Sequence, residues 1–64
     1  MKQILIKKCN DPQKWYADMI GFTVPYLGNT GVEWKSREPE GHINFVSYTD
    51  GEIVEYYNDK ILDR

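Results

Sequence analysis

Polar and apolar positions alternate along much of this chain, with the two-residue period of a β-strand. In "VEWKSR", residues 32–37, Val32, Trp34 and Ser36 fall on one side and Glu33, Lys35 and Arg37 on the other. "HINFVSY", 42–48, is a second such run with Ile43 and Phe45 on one side, and "IVEYY", 53–57, is a third. "QILIKK", 3–8, is β-branched and apolar and ends in lysines. "FTVPYLG", 22–28, sets Phe22, Val24 and Tyr26 against Thr23, Pro25 and Leu27. Pro25 has no N–H to give a ladder, so this strand belongs at an edge or carries a bulge. Turn residues separate the runs: "GNTG" at 28–31, "EPEG" at 38–41 and "TDGE" at 49–52. Pro39 and Gly41 bring the fixed and the permissive φ that a tight turn uses. The pattern predicts a mainly β fold, a small and partly open barrel of about five antiparallel strands.

The exception is "CNDPQKWYADMIGF", between the first two strands. Asp11 suits an N-cap, Pro12 a first helical position and Gly21 the position past a helix end. Trp15 and Met19, and Tyr16 and Ile20, are spaced four apart, as on one helix face. A short helical turn inside a long first loop is the expectation. The barrel is expected over 1–57, and the tail 58–64, "NDKILDR", is read as a short helix or a frayed end.

This order of elements resembles the SH3 fold. The likeness is carried by "EWKSREPEGHINFV", with Trp34, Lys35 and Ser36, a turn, then Gly41, His42 and Ile43. With "NDPQKWYADMIG" added, the chain looks like short SH3-like proteins of Gram-positive bacteria and their phages. That resemblance implies a fold and carries no activity with it. It also departs from the proline-binding SH3 pattern. Glu33 stands where those domains have a first Trp, and "NFV" follows where a Pro and a Tyr of a short 3₁₀ turn are expected. Recognition of a polyproline helix needs an aromatic-lined groove, and two of its walls are missing.

At 64 residues the chain is one domain with a thin core, since a domain this size buries only about 60% of its unfolded surface. Aromatic residues, 14% of the total, help to fill it, because each buries about 150–250 Å². Catalysis is not expected, for a small-molecule site usually takes a cleft of roughly 300–1,000 Å³. One cysteine, Cys9, excludes an intramolecular disulfide and a Cys-rich zinc site. With the apolar run at 4–6 far too short for a signal peptide or a membrane span, a cytoplasmic protein is expected, in the host cell if phage-encoded. The net charge of −2 is unevenly spread. Residues 1–37 carry six Lys or Arg against three Asp or Glu, and 38–64 carry two against seven.

An acidic chain is a poor partner for nucleic acid, where phosphate neutralisation supplies most non-specific affinity. An acidic half suits a basic protein surface instead. The expected function is therefore a small non-catalytic protein-binding module, of the kind a phage would use against a host defence or transcription component. Candidate contacts are Trp15, Tyr16, Trp34, Tyr48, Tyr56 and Tyr57, because Trp and Tyr dominate interface hot spots. The strand period also allows Trp34 to be core, and loop packing is the equal alternative for Trp15 and Tyr16. The competing reading is a nucleic-acid-binding barrel, with Lys7, Lys8 and Lys14 beside stacking aromatics Trp15 and Tyr16. A third is a structural subunit of a larger assembly.

No cofactor or metal is expected. His42 is the only histidine and has no ligand-spaced partner, and Cys9 reads as a small buried or half-buried hydrophobe. Glu38 and Glu40 sit in a turn, without the desolvation that would drive their pKa values apart for acid–base work. The last strand with Tyr56 and Tyr57, or the tail with Ile61 and Leu62, is a candidate region for self-association, the strand as an open edge.

Overall fold

The computed structural model of the chain describes residues 1–55. Tyr56, Tyr57 and the tail expected over 58–64 lie outside the described residues, and so does the self-association region built on them.

Among the described residues six strands form: β1 (Lys2–Ile6), β2 (Thr23–Pro25), β3 (Gly28–Asn29), β4 (Glu33–Arg37), β5 (Ile43–Ser47) and β6 (Gly51–Glu55). They make two three-stranded antiparallel sheets, ordered β2-β1-β6 and β3-β4-β5. The count exceeds the expected five because "FTVPYLG" is not one strand. Pro25 pairs opposite Gln3 at the edge of the first sheet. Two residues later the Leu27 N–H donates to the Lys35 carbonyl at 2.9 Å, and the chain joins the second sheet. The two ladders do not close into a continuous barrel.

Alternation decides what is buried. Ile4 and Ile6 of β1, Val24 of β2 and Val46 of β5 form the core, with Trp34, Ile53 and Tyr26 packed against it. In the second sheet Trp34 pairs with Val46 and Ser36 with Asn44 on the inner side. Ile43 and Phe45 do share a face, but it is the outer one, with 42% and 37% of their surface exposed. Val32, on the inner side by its period, lies in the turn ahead of β4 and is exposed. Gly51 stands opposite Ile6 in a crowded place between β1 and Trp34. A Cβ there would lie 2.7 Å from Ile4 Cγ2, 3.1 Å from the Leu5 carbonyl oxygen and 3.4 Å from Trp34 Cζ3. Only glycine fits this spot without displacing its neighbours.

The long first loop contains no helix. The expected start signal is real, since Asp11 Oδ1 accepts the Gln13 N–H at 2.9 Å. Beyond it the chain makes isolated i→i+3 turns, Lys14 to Asp11, Ala17 to Lys14, Met19 to Tyr16 and Phe22 to Met19. A segment this short nucleates a helix poorly. Here the adjacent side chains of Trp15 and Tyr16 are both held by the second sheet instead.

Candidate partner-binding cleft

Among the described residues β5 is one edge of the second sheet and β3 the other, and an open edge invites unwanted strand pairing. The first loop covers the β5 edge with side chains. The Trp15 indole N–H donates to the Phe45 carbonyl at 2.9 Å. The Ser47 N–H donates to the Tyr16 hydroxyl oxygen at 3.3 Å. The Phe45 N–H is taken by Asn44 Oδ1 at 2.8 Å.

Tyr16 also links this edge to the first sheet. Its hydroxyl donates to Asp50 Oδ2 at 2.5 Å, and the Asp50 carbonyl accepts the N–H groups of Lys7 and Lys8 at 2.7 and 3.2 Å. Tyr16 has no exposed surface and Asp50 almost none. Burial pushes the Tyr16 hydroxyl well above its ordinary pKa of 10.0, and its hydrogen bond to Asp50 pushes it further. The neutral phenol is therefore the native form, clamping the seam between β5 and β1.

With its inner side pinned, the loop offers its outer side to solvent. Trp15, Asp18, Met19 and Phe22 of the loop face Glu38, Pro39 and Glu40 of the β4–β5 turn across a cleft of about 590 Å³. That volume lies inside the usual range for ligand sites, so small size does not exclude such a cleft in this chain. Phe22 is 64% exposed, although its backbone is fixed by the Ile6 N–H donating to its carbonyl at 3.0 Å. The opposite wall is rigid as well. Glu38 N–H donates to the His42 carbonyl and Gly41 N–H to the Glu38 carbonyl, both at 2.8 Å, with Gly41 at φ 108°. Asn44 Nδ2 donates to Glu38 Oε2 at 2.6 Å, and Arg37 Nη1 donates to the Gly41 carbonyl at 2.9 Å.

Of the residues expected to meet a partner, Trp15 lines this cleft. Tyr16 is sealed in the core and presents no surface. Trp34 and Tyr48 pack on one another elsewhere, with ring centres 5.1 Å apart, and the Tyr48 hydroxyl donates to Asn29 Oδ1. Lys7, Lys8 and Lys14 are exposed, and Lys7 is ion-paired with Glu52 at 3.0 Å. The aromatics expected beside these lysines are otherwise engaged, Tyr16 in the core and Trp15 among the carboxylates of the cleft. Cys9 is half-buried and its thiol donates to the Asp11 carbonyl at 3.1 Å. Among the described residues no three His, Cys, Asp or Glu side chains gather as a metal site, and no helix is long and apolar enough to cross a membrane.

Sequence reading missed Asp18, Met19, Phe22 and Pro39 as cleft residues, and Asp50 as a buried clamp. The cleft joins two segments distant in sequence, and no local period announces it. Comparison of the chain with protein-family models, with curated proteins and with solved structures finds no match.

Proposed function

We propose that this chain is a small SH3-like, non-catalytic module that binds a protein segment in the cleft between its first loop and its β4–β5 turn. The SH3-like reading is supported by the order of elements. A long first loop precedes a stretch, 23–29, that serves the first sheet and then the second, and β6 returns beside β1. The binding reading is carried by one observation: Phe22, a large aromatic side chain on a fixed backbone, stands mostly exposed beside Trp15, Met19 and Pro39. Rigid aromatic anchors ringed by polar groups are what protein interfaces use.

Display of random peptides against the immobilised chain tests this. The expected result is enrichment of a sequence family that is lost on the Phe22→Ser variant. Phe22 contributes little to the core, so the variant keeps its fold. No enrichment, or enrichment indifferent to Phe22→Ser, rejects the cleft as a binding site.

A further inference from the structure

Resting on that reading, we infer that the occupant of the cleft is an extended peptide segment presenting an arginine next to an apolar side chain. Three acidic residues, Asp18, Glu38 and Glu40, line the cleft together with Trp15, Met19, Phe22 and Pro39, and among the described residues no basic one lines it. The ion pairs of the described residues are Lys7 with Glu52 and the N-terminal ammonium with Glu55, so none of the three is paired with a cation among the described residues. Even Arg37, next to Glu38 in sequence, spends a guanidinium donor on the Gly41 carbonyl. Among the described residues the Glu38 carboxylate accepts a neutral amide, from Asn44.

With three acidic residues lining one cleft, a cation entering it is attracted to each of them. The apolar lining selects what carries the cation. A small hydrated ion gains nothing from it, whereas a long aliphatic stem does. The Trp15 indole N–H is already committed to Phe45, so what this side chain has left for a ligand is its π surface, which attracts cations. A guanidinium is flat, weakly hydrated and forked. It stacks on aromatic rings and binds carboxylates through two parallel bonds, which an ammonium does not. The cleft volume leaves room for a neighbouring residue of the peptide. Met19 adapts its shape to an apolar one.

The test is calorimetric titration of the full chain with blocked peptides of one pattern, glycine–leucine–X repeated twice. X is arginine, lysine, citrulline (the uncharged isostere of arginine) or glutamate. The expected result is binding of the arginine peptide, about tenfold or more weakened in the citrulline peptide, weakened about threefold in the lysine peptide and absent for glutamate. Affinity is expected to fall with added salt, and the combined Asp18→Asn, Glu38→Gln, Glu40→Gln variant to lose the preference for arginine over citrulline. Equal binding of the arginine and citrulline peptides overturns the cation while leaving the cleft a protein-binding site. Absence of arginine-peptide binding overturns the inference as well, and peptide display then decides the broader reading separately. So does a homodimer in sedimentation that Phe22→Ser dissolves, since the occupant would then be a second copy of the chain.

Discussion

Tyr16 is the residue on which most of the molecule converges. One hydroxyl donates to Asp50, accepts from the Ser47 backbone and is shut away from water. Replacing it by phenylalanine keeps the ring and its packing but leaves the buried Asp50 carboxylate without its close donor. The cost of such an orphaned group is about 1–3 kcal/mol. Tyr16→Phe is therefore expected to fold with a lower midpoint in chemical denaturation. The raised pKa adds a pH signature. In the unfolded chain the phenol ionises near its ordinary value of 10.0, whereas the native phenol holds its proton to higher pH. Stability tied to this group is complete below pH 10 and is lost as pH rises above it. Denaturation of both proteins from pH 8 to 11.5 checks this, with a steeper alkaline loss in the natural chain than in Tyr16→Phe. Parallel curves would show that Tyr16 is no clamp.

The individual strands were legible in the sequence where alternation was long enough to speak. In "VEWKSR" Trp34 and Ser36 share the inner face as the alternation predicts while Val32 is exposed, "QILIKK" forms a strand as far as Ile6, and Pro25 does sit at a sheet edge. The division of "FTVPYLG" between two sheets was not legible, because it depends on which strands stand beside it. For "HINFVSY", which face turns inward is set by the pairing of Trp34 with Val46. The first loop misled because its capping residues are good ones, while the contacts that override them lie on β5 and in the next turn. "TDGE" looked like turn chemistry alone, yet Asp50 is buried and Gly51 meets Ile4 and the β1 backbone. Gly51→Ala places a methyl where the Ile4 side chain and Leu5 carbonyl already stand. Overpacking of this kind costs about 1–3 kcal/mol. Thermal unfolding of Gly51→Ala is expected to show a clear drop in midpoint, and an unchanged midpoint would mean that β1 and β6 are looser than their register implies.

Across the whole molecule, the two sheets are joined by chain crossing at 26–27, by packing of the inner faces and by the first loop. In the proposed reading the first loop supplies the binding surface. Its inner side closes the β5 edge through Trp15 and Tyr16, and its outer side supplies half of the cleft. None of the cleft was visible as a motif, since Phe22 reads as strand and Glu38 and Glu40 as turn until folding sets them opposite each other. A preformed cleft requires that the loop be held, because a loop left loose would have to be ordered by its ligand at the expense of affinity.

The most direct measurement is hydrogen exchange of the Trp15 indole N–H followed by NMR, with the resonance assigned by its disappearance in Trp15→Phe. The account predicts exchange slowed by about a hundredfold or more relative to a free indole, together with a protected Ser47 amide, as expected for bonds that open only by partial unfolding. Exchange of both groups at the rate of an unstructured chain would contradict it, for the loop would then be neither a seam nor a wall.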